Sequence, residues 1–323
     1  MTQNYPTASQ ADIKLAYQLV LGREADAEGL RYFGAMAESQ GLSAHSIAQM
    51  LIGSDEFKQK GGVSDDPVEI VRDGYSVFVR SSDRDIGNAI GKGVSYEPHV
   101  SALLKRQLTL GDTFLDVGAN IGYFTMMAAK LVGPQGRVIA IEPMDKNLQL
   151  IYLGIEKNRF KNVEVFPFGA SEHAGVVAII TDPGTSNALV QSAPSRHLPS
   201  LRAPTRTIDS MCAGLDRVDF MKIDIEGHEV FAWRGAKEMF SRCKPKIATE
   251  FHPHAMRENA GIDCREYVEM MFNYSSEIQI IQTVEKTVSC SSYEQVMEQW
   301  RESDNRHGGT GTSHLDLFLL PKR

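Results

Sequence analysis

The segment FLDVGANIG, from Phe114 to Gly122, carries an acid, two glycines and an amide in a short space. Glycines at the end of a strand let the backbone approach a ligand closely. A dinucleotide loop normally reads G-x-G-x-x-G and presents bare amides to a pyrophosphate. In this chain the first residue of the loop motif is Asp116, and the glycines are Gly118 and Gly122. Because a carboxylate repels pyrophosphate and attracts a sulfonium or ammonium group, the loop favours a cationic ligand without phosphate.

A second acid, Glu142, ends the next apolar stretch, VIAIEP. Nucleotide-binding βαβ units place an acid at this point to bind ribose hydroxyls. A glycine loop alone is also compatible with a plain strand-to-helix turn. Asp116, Asn120 and Glu142 in the same register favour a ligand site instead.

Two further carboxylates end predicted strands, Asp224 in MKIDIEGHE and Glu250 in KIATEFHPH. Parallel strands open on one edge of a sheet, so we expect both acids in one cleft. Their oxygens suit Mg²⁺ or another divalent cation, although Asp224 could equally bind an amino group of the ligand. His252 and His254 are candidate bases because an imidazole titrates in the working range.

Other polar residues beside these strand ends keep two interpretations each. Glu226 either faces the cleft or caps the helix expected near Gly227. His228 and His314 either approach the cleft or serve the local structure. Lys222 is either a buried partner for an acid or a solvated edge residue.

The elements that must position these residues follow an α/β pattern, with short apolar strands alternating with helical stretches. Residues 181–205, rich in Pro, Gly and Ser, form an excursion that could cover a site. Seven strands are predicted: Thr113 to Val117, Arg137 to Ile141, Val163 to Pro167, Val218 to Ile223, Lys246 to Phe251, Glu277 to Gln282 and Leu315 to Leu320.

Ahead of this region, residues 11–60 show apolar periodicity typical of three short helices, the third capped by Ser43. Gly22, Gly41 and Gly53 mark helix ends. The stretch GGVSDDP reads as a linker. We therefore predict a small helical domain at 1–60, a linker at 61–70 and a larger α/β domain at 71–323.

Composition narrows the function classes. A net charge of -7 argues against a surface that collects nucleic acid or anionic lipid. No long apolar run or leader-like start is present, so we expect a cytoplasmic protein with no membrane partner. The four cysteines form no C-x-x-C pair, which fits neither a zinc cage nor a disulfide framework.

The motifs FLDVGANIGYFT, VIAIEP and VDFMKIDIEGHE, with EFHPH downstream, resemble the FkbM family of methyltransferases from about Asp85 to Lys322. The resemblance implies a Rossmann-like seven-stranded sheet with the last strand antiparallel. It also implies methyl transfer from S-adenosylmethionine, usually to an oxygen of a sugar or secondary metabolite. The cofactor residues it implies are Asp116, Gly118, Asn120, Gly122 and Asp224 near the methionine part, Glu142 at the ribose, Phe168 and Gly169 near the adenine, and Tyr96 and Glu97 closing over the ligand.

Residues 17–57, with LGREADAEGLRYF, resemble a short bacterial helical domain of unknown function built around L-G-R-x-x-D-x-x-G. The pattern of Arg23, Asp26 and Gly29 is interpreted as a helix-joining turn in which arginine bonds an acid or a carbonyl. Tyr32 and Phe33, at helical spacing, are expected in the core.

The leading hypothesis is an S-adenosylmethionine-dependent O-methyltransferase acting on a hydroxyl of a sugar, glycan or secondary metabolite. Asp224, Glu250 and His252 are its candidate catalytic residues, with Asp224 and Glu250 as a possible metal pair. N-methylation is the nearest variant. A nicotinamide oxidoreductase and a non-catalytic cofactor-binding scaffold are the alternatives. A small-molecule or glycan acceptor and a homodimer are the expected partners.

Overall fold

The computed structural model describes residues 7–21, 23–52, 54–56, 66–84, 86–91, 95–181, 188–191 and 201–322. The chain divides into two compact units, Met1–Asp66 and Pro67–Arg323. Each unit has its own buried apolar cluster.

The first unit contains the three predicted helices, α1 (Gln10–Leu21), α2 (Ala27–Gln40) and α3 (Ala44–Ile52). Ile13, Phe33 and Ile47 anchor its core. The Ser43 hydroxyl accepts the Ser46 amide at 3.2 Å at the start of α3, which confirms that cap. Gly41 ends α2 at φ 66°, where a residue without a Cβ is unstrained. Gly22 and Gly53 lie outside the described residues.

The turn before α2 confirms the predicted arginine and acid contacts. Asp26 accepts the Gly29 amide at 2.7 Å, and Arg23 donates to the Glu24 carbonyl at 2.9 Å and to Asp26 at 3.1 Å. Arg23 also pairs with Glu56 at 2.5 Å. A Cβ at Gly29 would lie 2.2 Å from the Tyr17 hydroxyl, so this position requires glycine. Phe33 is buried as expected, whereas Tyr32 is exposed.

The second unit opens with a hairpin of β1 (Pro67–Arg72) and β2 (Tyr75–Arg80). Its turn residues Asp73 and Gly74 both have positive φ, as a tight D-G hairpin turn requires. This corrects the predicted linker: residues 61–65 are not described, but 67–70 form strand. The D-G pair between alternating apolar residues was the available signal.

The rest of the second unit alternates helices and strands. In chain order these are α4 (Ile86–Gly91), α5 (Pro98–Gln107), β3 (Thr113–Val117), α6 (Tyr123–Val132), β4 (Arg137–Ile141), α7 (Asp145–Asn158), β5 (Val163–Phe166), β6 (Gly169–Ala170), β7 (Gly175–Thr181), β8 (Ala188–Gln191), β9 (Leu201–Arg206), α8 (Ile208–Met211), β10 (Phe220–Ile223), α9 (Glu229–Arg234), α10 (Lys237–Cys243), β11 (Lys246–Phe251), α11 (Pro253–Ala260), α12 (Cys264–Tyr274), β12 (Ile278–Ile281), β13 (Thr287–Cys290), α13 (Tyr293–Arg306) and β14 (Leu315–Leu319).

The main sheet has the order β13-β12-β14-β11-β10-β3-β4-β5. Strands β11, β10, β3, β4 and β5 pair in parallel, and β14 is antiparallel to both of its neighbours. All seven predicted strands are present, and the antiparallel last strand is confirmed. The sheet has eight strands because β13 adds an edge hairpin to β12. Its sequence, TVSC, is half-exposed and too polar to read as a core strand.

A second sheet, in the order β6-β9-β7-β8, accounts for part of the predicted excursion at 181–205. Within that excursion the structure describes 188–191 and 201–205, and both segments are strand. The apolar residues Val177 and Ile179 of β7 pack with Ala203 and Met144. This sheet therefore stands beside the end of β4.

The main sheet is buried on both faces, which is why its strands read as apolar runs. Phe114, Phe220 and Phe318 follow one another on one face with ring centroids 6.0 Å apart at each step, the first pair tilted and the second stacked. Leu115 and Met221 belong to the cluster on the other face. Asp116 and Lys222 are buried charged residues within this pattern, and they are direct neighbours in the β3–β10 register.

None of the helices in the described part of the chain combines the length and hydropathy needed to cross a bilayer.

Candidate functional site

The glycine loop after β3 touches the loop after β10. Gly118 has φ 82°, and a Cβ there would lie 2.0 Å from the Asp224 carbonyl oxygen. Only glycine permits this approach. Gly122 has φ 84° and begins α6, where a Cβ would meet the Ile151 side chain at 3.0 Å. Gly122 therefore sets how α6 packs on α7.

A cavity of about 930 Å³, including its open mouth, lies at the carboxyl ends of β3, β4 and β10. Its walls include seven of the predicted cofactor residues: Tyr96, Gly118, Asn120, Glu142, Phe168, Gly169 and Asp224. The remaining three, Asp116, Gly122 and Glu97, do not line it. The second sheet contributes Val177, Ile179 and Thr205 to the same walls.

Glu142 is held in one orientation by three donors. Its carboxylate accepts the amides of Asn120 and Met144 at 2.9 Å each, and the Asn147 side chain at 3.3 Å. Burial outweighs these bonds and raises the pKa of Glu142 to about 7. A carboxylate offers about four acceptor positions, so it can still accept a hydroxyl from a ligand in the cavity.

Asp116 lies beneath the loop rather than in the cavity wall. It is 1% exposed, and its Oδ2 accepts the Thr125 hydroxyl at 2.6 Å. Its Oδ1 has no hydrogen-bond partner in the described part of the chain. Burial raises its pKa, while neighbouring Lys222 opposes that shift. Asp116 therefore does not line the cavity, and its contact with the methionine part of the cofactor stays a prediction.

Lys222 is a buried partner for acids, which settles its two interpretations. Its ammonium lies 2.7 Å from Asp224 Oδ2 and 4.8 Å from the centre of the Phe124 ring. Burial alone would lower the pKa of Lys222, but Asp224, Glu97 and Asp116 together raise it. The side chain therefore stays protonated.

Three carboxylates meet at the ends of β10 and β11. Asp224, Glu229 and Glu250 each offer an oxygen, and these oxygens lie within 4.8 Å of one another. Glu229 is fully buried and accepts the amides of Ile225 at 2.9 Å and Gly227 at 3.2 Å. Among the residues described, no donor reaches Oε2 of Glu229 or Oε2 of Glu250.

The acids around this cluster share raised pKa values. Burial, then repulsion by Asp224, raises the pKa of Glu226 to about 8 and that of Glu250 well above its usual range. Burial raises the pKa of Glu229 to about 7, and also that of Glu97. Glu226 lines the cavity and does not cap a helix, since α9 begins only at Glu229. This concentration of carboxyl groups around Lys222 favours a cationic ligand.

His252 serves the local structure instead of the cleft. Its Nδ1 accepts the Ala255 amide at 3.2 Å at the start of α11. Burial, then the neighbouring His314 and His254, lowers the pKa of His252 to about 4. The neutral ring therefore carries its proton on Nε2 and is a donor. This corrects its expected role as a base.

The other histidines take separate positions. His228 lines the cavity with Nε2 3.3 Å from the Ser171 hydroxyl, and burial lowers its pKa to about 4. His314 Nδ1 lies 3.4 Å from Glu250 Oε1. His254 is 6.2 Å from His252 between ring centroids.

Sequence reasoning missed two features of this site. Glu229 was not among the predicted site residues, although it is the third acid in DIEGHE after a strand. Asp316 pairs with His99 Nε2 at 2.5 Å beside the cluster. A lone acid in the apolar strand LDLFL was its signal, of the same kind that marked Lys222.

Two family profiles match the chain: the "Methyltransferase FkbM domain" at residues 116–295, and the "Domain of unknown function (DUF4214)" at residues 2–61. Among curated proteins, "Probable cobalt-precorrin-6B C(15)-methyltransferase (decarboxylating)" of Sulfolobus acidocaldarius is 37% identical over 24% of this chain and 40% of its own length. "Protein-L-isoaspartate O-methyltransferase" of Methanothrix thermoacetophila is 32% identical over 28% of this chain and 46% of its own length. The chain therefore spans less than half of the length of these two relatives.

Among solved structures, "Methyltransferase FkbM" from Methylobacillus flagellatus KT matches with a TM-score of 0.38 and 19% identity. That match covers 85% of this chain and 57% of the other. The FkbM profile covers more than half of the 323 residues, and its segment contains the glycine loop, Glu142 and the carboxylate cluster. The chain therefore belongs to the FkbM methyltransferase family.

Proposed function

We propose that the protein transfers the methyl group of S-adenosylmethionine to a hydroxyl oxygen of a sugar, glycan or secondary metabolite. One observation carries the proposal. A single cavity is flanked by Glu142 after β4 and by Asp224 after β10, with Gly118 of β3 between them. A ligand with a ribose at one end and cationic groups at the other matches this arrangement.

The chain's own residues orient such a ligand. Glu142 accepts a ribose hydroxyl, and Gly118 lets the backbone lie against the ligand. Phe168, Val177 and Ile179 form an apolar wall that suits the adenine ring. Asp224 provides negative charge for the ammonium and sulfonium groups. When bound, S-adenosylmethionine supplies the methyl group on a positively charged sulfur.

Glu250 is the group we assign to take the acceptor's proton. As the new carbon–oxygen bond forms and the carbon–sulfur bond breaks, the hydroxyl proton passes to Glu250 Oε2. That oxygen has no other partner within the described residues, and the raised pKa of Glu250 makes it a stronger base than a solvated carboxylate. Lys222 fixes Asp224 beside it.

The same cluster fits a divalent cation, which is the second arrangement we propose. Asp224, Glu229 and Glu250 would hold it, because hard oxygen donors at this separation suit Mg²⁺ or Ca²⁺. A bound cation would lower the pKa of an acceptor hydroxyl. Turnover that survives dialysis against a chelator, with no metal detected by elemental analysis, would leave Glu250 acting as the base alone.

Membership of a methyltransferase family argues against the nicotinamide oxidoreductase. The relatives include a C-methyltransferase and a protein O-methyltransferase, so acceptor chemistry differs among them. An oxygen acceptor is favoured here because a hydroxyl needs a base, and Glu250 provides one. The N-methylation variant and the homodimer remain predictions.

The test is calorimetric titration with S-adenosylmethionine, S-adenosylhomocysteine and NAD. Glu142→Ala is the variant, and Glu156→Ala, an exposed acid on α7, is the matched control. We expect both adenosyl ligands to bind the wild type and the control, and to be lost in Glu142→Ala. Binding of NAD alone would overturn the proposal, and binding of none of the three would overturn the cofactor assignment itself.

A further inference from the structure

A second, polar groove lies beside the carboxylate cluster. It occupies about 1220 Å³, including open space, between the end of β12, the end of α13 and the start of β14. Amide side chains of Gln282 and Gln299 face it, with His314 and Asp316 at its inner end. Nothing in the proposed cofactor site uses this space.

A small space of about 200 Å³ lies between the groove and the cofactor cavity and shares lining residues with each of them. That space shares Lys222 and Asp224 with the cofactor cavity, and Ile281 and Asp316 with the groove. Glu250 lines it as well. The three spaces thus follow one edge of the sheet, from β3 across β10, β11 and β14 to β12. A reactant in the groove would reach the proposed base without leaving the edge.

The two ends of the groove differ in charge. Asp316 lines the inner end, next to the intervening space that Lys222, Asp224 and Glu250 line, whereas Lys286 and Arg306 line the outer part. Both cations are exposed, and within the described residues neither forms a salt bridge. In a chain with a net charge of -7, two such cations on one groove favour an anion there.

The wall of the groove is well supported. Asp304 is only 7% exposed and accepts the amides of Gly311 at 2.9 Å and Ser313 at 3.3 Å. Trp300 donates its indole N–H to the Ser313 carbonyl at 2.7 Å. Across the groove, the Gln282 amide donates to Gln299 at 2.9 Å. These bonds hold the loop before β14 against α13.

We propose that this groove holds the methyl acceptor, and that the acceptor is a polyhydroxylated compound with an oxyanion, either phosphate or carboxylate. The proposal rests on the methyltransferase function above. Lys286 and Arg306 bind the oxyanion, since guanidinium and ammonium groups match phosphate and carboxylate oxygens. Because both cations line the outer part of the groove, the oxyanion stays there and a hydroxyl of the acceptor points toward Glu250. Gln282 and Gln299 bind hydroxyls between the two ends.

The experiment compares glucose 1-phosphate, glucuronate and glucose as probes in calorimetric titrations of the full chain, with Trp300 fluorescence as a local readout. The variants are Lys286→Gln and Arg306→Gln, singly and together. Arg301→Gln is the control, because Arg301 is exposed on the same helix, about 140° away around its axis, and does not line the groove.

We expect at least one anionic probe to bind the wild type and the control at least tenfold more tightly than glucose, and the double variant to lose that preference. Preference for glucose 1-phosphate would indicate a phosphate, and preference for glucuronate a carboxylate. Equal binding of all three probes, no binding of either anion, or an unchanged preference in the double variant would overturn the proposal.

Titration of the same samples with S-adenosylhomocysteine separates the two hypotheses. Retained binding in every variant, together with a failed probe experiment, would overturn only the acceptor proposal. Absence of binding in the wild type would overturn the proposed function itself.

Discussion

The two halves of the cleft are built in different ways. The cofactor half comes from the loops after β3 and β4, and its acid Glu142 is bound by three donors. The acceptor half draws Glu229, Glu250 and Asp316 from segments far apart in the chain, and Oε2 of Glu229 and Oε2 of Glu250 have no partner among the described residues. A carboxylate whose hydrogen bonds are made, such as Glu142, can hold the cofactor in one orientation. Carboxyl oxygens without a partner remain available to bind or deprotonate a reacting group.

The largest effect is expected from Gly118→Ala, which alters the cofactor half of the cleft. The new Cβ would lie 2.0 Å from the Asp224 carbonyl at φ 82°. We expect the free energy of unfolding to fall by roughly 3 kcal/mol or more, with loss of S-adenosylhomocysteine binding. Denaturant melts and calorimetry measure both quantities.

Gly111→Ala is the matched control, since Gly111 has φ 88° but no atom within 4 Å of the added Cβ. It should lower stability by about 1 kcal/mol and leave binding intact. An equal effect of the two substitutions would mean that backbone strain, not the loop contact, governs the site.

The next largest effect is expected from Glu250→Gln, which should impair the acceptor half and leave the cofactor half intact. We expect turnover to fall about 100-fold or more because the base is lost, while S-adenosylhomocysteine binding stays unchanged. Stability should hold or rise, because a buried carboxyl under repulsion is replaced by a neutral amide. Steady-state kinetics and thermal melts test this against Glu285→Gln, an exposed acid. Turnover equal to that control would exclude Glu250 as the base.

A smaller effect is expected from pH on the affinity of the cofactor half for its ligand. The pKa of Glu142 is about 7 in the folded chain, above its unfolded value of about 4.3. The folded state therefore holds the extra proton between these values, and this group's contribution to stability falls as pH rises through that window. Because ribose hydroxyls bind the carboxylate, S-adenosylhomocysteine affinity should rise roughly tenfold from pH 6 to 8.

Calorimetry across this range should show a weaker and flatter profile for Glu142→Gln. Since Glu97, Glu226 and Glu229 titrate nearby, a residual slope is expected in the variant. A slope as steep as that of the wild type would assign the pH dependence to those acids instead.

The smallest effect is expected at His252. As a helix cap, His252→Ala should lower stability by about 1 kcal/mol, and His252→Asn should restore it, because Asn is a favourable cap. Turnover should stay within a few-fold of wild type in both. A large loss of turnover in a well-folded His252→Asn variant would restore histidine as the base.

Much of the fold could be predicted from local pattern. Thr113–Val117, Arg137–Ile141 and Lys246–Phe251 are apolar runs bounded by polar or glycine residues, and their predicted limits match the strands. The hairpin of β1 and β2 was missed because its proline and acids read as a linker. Strand β13 was missed because an edge strand needs no apolar face.

The site residues likewise divide into those that have a local sequence signal and those that depend on tertiary contacts. Gly118, Asn120 and Glu142 were found because a ligand loop and a strand-end acid are local features of the chain. His252 was misjudged because its tautomer depends on the Ala255 amide, which only the start of α11 brings to it. The place of Glu229 and Asp316 in the site is evident only when the fold brings them beside Glu250.

The amino-acid sequence alone determined the fold class, the family and the cofactor half of the cleft, because apolar periodicity and a glycine loop act between residues close along the chain. The tertiary structure decided the charge of the acceptor half and its position beside the polar groove. Burial and the repulsion of Asp224 raise the pKa values of Glu226, Glu229 and Glu250 only once the sheet has brought β10 and β11 side by side. Lys286 and Arg306 likewise share a groove only after the chain end returns as β14 between β11 and β12.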